Sequence, residues 1–197
     1  MTCRTRSRGF SLVEMVATLT VFAVLLALAV PVFSDFMKRN AVATQTNELL
    51  GALRLARSTA VTRGIYVSMC PSATVTATSP TCASGTSVYN TGWLIYTSKS
   101  IGAVFASGDE ILQVNQAISN ASVQGDKSVV TFDSRGASVT GTPQFWVCAK
   151  SGSDSIGRSS PRYAGRKVDV QSGGRAGSSA LATSTNATTA QGNCKAP

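Results

Sequence analysis

The amino-acid sequence predicts an α+β protein in which a long N-terminal helix packs on an antiparallel, β-rich head. The pattern from Phe10 to about Arg63 is helical, and beyond Gly64 it changes to short runs with a period of two residues. Of the 197 residues, 43% are hydrophobic, which is enough to supply the core of one ordinary domain. We therefore expect one folded head attached to a long helix.

The first part of the helix is apolar. Met15 to Ser34 contains no charged residue, and a helix of about 20 apolar residues crosses the core of a bilayer. We predict a transmembrane segment over residues 10–34 and a head over residues 35–197. Pro31 removes a backbone donor, so the helix is expected to kink there.

Charges flank the apolar segment unequally. Arg4, Arg6 and Arg8 precede it, whereas Lys38 and Arg39, partly offset by Asp35, follow it. This excess favours a cytoplasmic N-terminus, which leaves the head outside the cytoplasm. A secretory signal peptide would have a shorter apolar region with a small-residue cleavage site after it, whereas this chain continues into a polar helix.

The second part of the helix is amphipathic. Its apolar positions recur at steps of three, four or seven and form one stripe: Val42, Leu49, Leu53, Ala56 and Ala60. Gly64 is the expected C-cap. The stripe predicts the helix face that packs on the head.

Short β-rich runs follow, separated by clusters of Gly, Ser, Asn and Asp. The predicted strands are Ile65–Met69, Trp93–Thr97, Ile111–Asn115, Ser128–Phe132, Gln144–Cys148 and Arg166–Gln171. We expect a sheet packed on the Leu49–Val61 stripe. The final stretch, GGRAGSSALATSTNATTAQGN, has no periodicity and is expected to be disordered unless a disulfide holds it.

Four cysteines lie in the head, and four cysteines allow three pairings. Their spacing favours Cys70 with Cys82, which leaves Cys148 for Cys194. An even set of cysteines indicates an oxidising compartment. Zinc binding is the alternative, but the spacings are wide and no C-x-x-C pair occurs, so we predict no metal site.

Charge and composition bear on function. The chain has 18 Lys and Arg against nine Asp and Glu, a net charge of +9, which favours polyanionic partners. It has no histidine, the usual general base of Ser and Cys hydrolases. Asp109 and Glu110 are adjacent and would point to opposite faces of a strand. We therefore predict no enzyme activity and no cofactor.

The opening sequence RGFSLVE, followed by an apolar helix, resembles the class III signal of type IV pilins and type II secretion pseudopilins. The resemblance implies that residues 1–9 are a leader, that prepilin peptidase cleaves between Gly9 and Phe10, and that Phe10 is then N-methylated. Glu14 matches the family's near-invariant glutamate, and Pro31 matches its helix-kinking proline. Both residues are thereby expected to act in assembly.

Later motifs are similar to the GspH/FimT family of minor pilins and pseudopilins. They are VSMCPS, TGWLIYTS, GDEILQ and QFWVC, followed by a late basic strand. The resemblance implies a pilin-like filament component of the inner membrane, single-pass with a periplasmic head. Its expected partners are other pilins or pseudopilins.

The charge at Glu14 has a physical interpretation in this setting. An unpaired carboxylate in hydrocarbon costs about 2–4 kcal/mol or more, so it needs a cation. Cleavage after Gly9 would create one, the amine of Phe10, in the same chain or on a neighbouring subunit. The alternative is that Glu14 snorkels to the membrane interface.

From sequence we predict a minor type IV pilin in pilus assembly or initiation, with DNA binding for uptake as an added activity, and the alternative is a minor pseudopilin of type II secretion. The DNA prediction rests on basic residues late in the chain, Arg162, Arg166, Lys167 and Arg175. DNA-binding members carry Gly-Arg-x-Arg near the C-terminus. The candidates here, Gly165-Arg166-Lys167 and Gly174-Arg175-Ala176, lack the second arginine.

Overall fold

The computed structural model describes residues 10–196 except 84, 117 and 153, and it leaves the side chains of residues 28–31 undescribed. The predicted leader over residues 1–9, with Gly9, lies outside the described residues, and so does the side chain of Pro31. The chain divides into two compact units, Met1–Met37 and Lys38–Pro197.

The predicted long helix is present. Helix α1 spans Leu12–Arg63 and therefore begins two residues later than expected. It ends at Gly64, whose φ of 68° is readily adopted only by glycine. The N–H groups of Gly64 and Ile65 both donate to the Ala60 carbonyl, at 2.9 and 3.2 Å, and this closes the helix as the C-cap prediction requires.

The described residues of the head form eight strands in two antiparallel sheets, which confirms the predicted α+β class of a long helix with a β-rich head. The strands are β1 Tyr66–Pro71, β2 Trp93–Ser98, β3 Ile111–Asn115, β4 Ala121–Gly125, β5 Val130–Phe132, β6 Gln144–Ala149, β7 Arg166–Val170 and β8 Ala176–Ala180. The first sheet has the order β3-β2-β1-β5, and the second has the order β4-β6-β7-β8. A short helix, α2, spans Ala187–Gly192.

The predicted apolar stripe is the helix side of the core. Val42, Leu49, Leu53, Ala56 and Ala60 are all buried in one cluster with side chains from both sheets. Trp93 on β2 belongs to this cluster. Leu94 and Tyr96, also on β2, belong to a second and smaller apolar cluster. Burial of this stripe supplies the hydrophobic driving force that holds the helix on the head.

The sequence did not predict β4, β8 or α2, and it predicted one sheet where the structure has two. Strands β4 (ASVQG) and β8 (AGSSA) have few β-branched residues, so their local sequence gives no strand signal. They form because they pair with β6 and β7. Likewise α2 forms in the small-residue tail, where the Asn186 side chain accepts hydrogen bonds from the N–H groups of Thr188 and Thr189.

Candidate assembly helix and basic surface

Glu14 lies in the first turn of α1, where a carboxylate interacts favourably with the helix dipole. It is exposed, as is Phe10 before it. Phe10 precedes the start of the helix by two residues, and Glu14 follows Phe10 by four residues in sequence. From Leu12 to Ser34, Glu14 is the one charged residue. The prediction for Glu14 therefore falls on an isolated carboxylate at the start of an apolar helix.

The described apolar side chains of the first unit have no cover within that unit. An 18-residue window in α1 has a mean hydropathy of 2.6, and none of it is buried. Phe22, for example, is 64% exposed. A large continuous apolar surface of this kind marks contact with a membrane or with other protein chains. Length and composition permit a membrane span, and the same surface is suitable for helix packing in a filament.

Both disulfides are formed in the structure. Cys70 is bonded to Cys82 and Cys148 to Cys194, the two pairings that the spacing favours. The second bridge fixes the tail beside β6, where the Ser159 N–H also donates to the Ala190 carbonyl. The tail is therefore held by a covalent link and by backbone hydrogen bonds.

The four basic residues predicted to bind DNA do not form one patch. Arg162 lies in the Ser160–Tyr163 turn, and its backbone carbonyl accepts a hydrogen bond from Arg39 Nε. Arg166 and Lys167 are neighbours on β7, so their side chains point to opposite faces of the sheet. Arg175 lies past the other end of that strand, roughly 13 Å or more from Arg166 at about 3.3 Å per residue.

Lys167 already has partners on its own sheet. Its Nζ lies 3.0 Å from Asp169 Oδ1 and 5.9 Å from the centre of the Trp146 ring. The ion pair offsets the charge that Lys167 would offer to a phosphate, since the ammonium and the carboxylate carry opposite unit charges. Trp146 itself is buried, so it offers no stacking surface for a base.

Both glycines that precede the candidate arginines have structural reasons to be glycine. A Cβ at Gly165 would lie 2.5 Å from Cys148 Sγ, and a Cβ at Gly174 would lie 1.8 Å from the Gly136 carbonyl oxygen. Gly174 also has a φ of 76°, which side chains rarely adopt. Close packing against the disulfide and against a neighbouring turn therefore explains why these two positions are glycine, and no ligand is needed to explain them.

Sequence reasoning missed a second group of arginines around these turns. Arg57 Nε on α1 donates to the Gly136 carbonyl at 3.0 Å, and Arg135 and Arg175 flank Gly136 and Gly174. Arg135 pairs with Asp133, whose pKa is lowered, chiefly by a hydrogen bond from the Ala137 N–H. The group joins the second half of α1 to both sheets, and only the tertiary fold brings it together.

The acids considered for catalysis have structural partners. Glu110 pairs with Arg63 at 2.6 Å, and Asp109 Oδ2 accepts a hydrogen bond from the Ala106 N–H. Burial raises the pKa of the hydroxyls of Tyr89 and Tyr96.

Within the described part of the chain, no three His, Cys, Asp or Glu residues are grouped so that they could hold a metal ion.

Two family models match the chain. The prokaryotic N-terminal methylation motif matches residues 4–30, and the type II transport protein GspH matches residues 45–174. The second match alone covers most of the head. No curated protein sequence matches the chain.

Two crystal structures of the type IV minor pilin FimU from Pseudomonas aeruginosa (strain PAO1) are similar in fold. One is 19% identical in sequence, with a TM-score of 0.50, and the similarity covers 71% of this chain and 88% of that one. The other is 18% identical, with a TM-score of 0.48 and coverage of 70% and 91%. The identities are low, so this likeness concerns the fold alone.

Proposed function

We propose, because the chain belongs to the GspH family of pilin-like proteins, that it is a minor type IV pilin taking part in pilus assembly or initiation. The family is one of structural subunits that assemble with other pilins after processing by prepilin peptidase. The observation that carries the proposal is the N-terminal segment. A methylation motif over residues 4–30 coincides with the apolar first part of α1, in which Glu14 is the one carboxylate before Asp35.

The proposed mechanism follows from that segment. Cleavage after Gly9 removes residues 1–9 and frees the amine of Phe10. Residues 10–34 then anchor the subunit in the inner membrane as a single span, with the head in the periplasm. Transfer of the same apolar helix from lipid into a filament leaves its side chains in apolar surroundings, so the transfer costs little. Glu14 needs a cationic partner in both places, and the Phe10 amine of a neighbouring subunit supplies one in the filament.

A pseudopilin of type II secretion is the second candidate. The description of the matching family model, a type II transport protein, favours it. Both candidates use the same processing, helix and assembly chemistry. A deletion strain separates them: loss of twitching and surface pili with normal protein secretion supports the pilin, whereas loss of secretion with normal pili supports the pseudopilin.

DNA binding stays a prediction for an additional activity. Removal of the leader leaves 15 Lys and Arg against nine Asp and Glu, a net charge of +6, which attracts polyanions. The scattered positions of Arg162, Arg166, Lys167 and Arg175 favour diffuse contacts with phosphates over a defined groove. We therefore propose at most a weak interaction with DNA that does not depend on base sequence.

A further inference from the structure

A group of cations lies just beyond the apolar segment, and the assembly proposal does not use it. We call it the Lys38 cluster: Lys38 and Arg39 on α1, with Arg162 and Tyr163 from the Ser160–Tyr163 turn. The two parts are more than 120 residues apart in sequence, and the fold brings them together. We propose that the Lys38 cluster binds the headgroups of anionic phospholipids. This inference rests on the proposed function, since it requires residues 10–34 to span a membrane.

Two contacts between α1 and the Ser160–Tyr163 turn hold the Lys38 cluster together. Lys38 Nζ lies 4.6 Å from the centre of the Tyr163 ring, within the range of a cation–π interaction. One residue further along α1, Arg39 Nε donates to the Arg162 carbonyl. The turn is thus attached to the helix at two points. Arg39 and Arg162 are both exposed residues.

The position along the helix matches the depth of the headgroups. Lys38 follows Ser34, the end of the apolar segment, by four residues, which is about 6 Å along a helix. The polar layer of a bilayer is roughly 5–8 Å thick on each side of the hydrocarbon core. Tyrosine, with an apolar ring and a polar hydroxyl, is enriched at this level. Tyr163 is half-buried against Lys38 and therefore suits this interface.

The balance of charge favours an anionic ligand. The cluster holds three cations, and Asp35 is the one acid between Ser34 and Arg39, with none in the turn. The net charge is therefore about +2 even when Asp35 is counted against it. Phosphatidylglycerol offers one phosphate charge at this depth, and each basic residue near an anionic surface adds to the attraction. An acidic surface on a neighbouring pilin is the rival ligand, and the experiment below distinguishes it.

The test uses the full chain reconstituted into vesicles of phosphatidylcholine, alone or mixed in equal parts with phosphatidylglycerol. Flotation first shows whether the chain is anchored in both. Hydrogen exchange of the peptide over residues 158–164 then reports on the turn. We expect exchange at least about twofold slower with phosphatidylglycerol, and we expect salt to reduce this protection by screening.

Two variants of the cluster and one control variant give the comparison. Lys38→Gln with Arg39→Gln should abolish the lipid-dependent protection, and Arg162→Gln should reduce it. Lys99→Gln with Lys127→Gln removes the same charge from exposed loops of the head and should leave the protection unchanged. Because Gln is a good helix former, the first variant keeps α1.

Anchoring without any effect of phosphatidylglycerol overturns the lipid inference alone and leaves the cluster as a surface for protein contacts. Equal protection in the Lys38 and Arg39 variant also overturns it. Failure of the chain to float with either vesicle rejects the membrane anchor of the proposed function, and the lipid site with it.

Discussion

The two halves of α1 have the same secondary structure and opposite surroundings. Leu25 in the first half is 59% exposed, whereas Leu53 in the second half is 1% exposed. The second half finds its apolar partner within its own chain, in the two sheets of the head. The first half has no such partner within its unit and needs lipid or other subunits. In the proposed function, one helix therefore serves two purposes, to stabilise the head and to anchor and assemble the subunit.

The sharpest way to break this comparison is to change Glu14, the one charged residue from Leu12 to Ser34. Replacing Glu14 by Gln removes the carboxylate and keeps the apolar span, so insertion and cleavage should persist while incorporation into filaments is lost. The matched control is Glu48→Gln, which removes an exposed carboxylate from the second half. Sheared pili and membrane fractions, probed for the subunit, provide the measurement. Normal incorporation of the Glu14 variant would mean that the carboxylate only snorkels to the interface.

The next largest effect concerns stability. Leu53→Ala should lower the free energy of unfolding of the head by about 2–5 kcal/mol, because it opens a cavity in a packed core. Leu25→Ala should change it by less than about 0.5 kcal/mol, because that side chain is exposed and substitutions at exposed positions have small effects on stability. Denaturant unfolding in detergent, followed by the near-ultraviolet circular dichroism of the tryptophans, measures both. Similar losses in the two variants would contradict the division of α1 into two roles.

A third prediction concerns the two disulfides of the head. Loop-closure entropy predicts a contribution of roughly 4 kcal/mol for Cys148–Cys194 and roughly 3 kcal/mol for Cys70–Cys82. Changing Cys148 and Cys194 to Ala should also speed hydrogen exchange over residues 181–194, whereas changing Cys70 and Cys82 should leave that tail protected. Peptide mapping without reduction tests the pairing. Recovery of Cys70 linked to Cys148 would refute it.

The smallest expected effect is on DNA binding. The full chain in detergent should shift duplex DNA only at low salt. Replacing Arg166, Lys167 and Arg175 by Gln should lower the slope of log K against log salt by about one to two units, since each phosphate contact contributes about 0.9. Lys99, Lys127 and Arg54, changed to Gln together, are the control with equal charge. Absence of any shift with the unmodified chain would show that the basic excess is a solvated surface.

The parts of this fold that sequence predicts are those with a strong period. The stripe from Val42 to Ala60 is visible because one side of α1 is buried and the other is not, and Gly64 marks its end by a conformation that glycine readily adopts. Strands with alternating or β-branched residues, such as β1 and β2, are found for the same reason. In these strands the residue types themselves indicate which side chains are buried.

What sequence missed depends on contacts between distant segments. The AGSSA segment becomes β8 only because β7 pairs with it, and the tail is ordered by its bonds to Cys148 and Ser159. Gly165 and Gly174 look like parts of a ligand motif in the sequence, but each is required by a neighbour that the fold brings close. Arg166, Lys167 and Arg175 are near in sequence, but the length of β7 separates Arg166 from Arg175, and Arg166 and Lys167 lie on opposite faces of that strand.

The central claim is that the first half of α1 becomes a mature N-terminus that anchors and assembles the subunit. Intact-mass measurement of the protein purified from its native membrane tests it most directly. We predict a chain that begins at methylated Phe10, with residues 1–9, among them Cys3, removed. A protein that retains Met1, in a strain whose other pilins are processed, would contradict the claim.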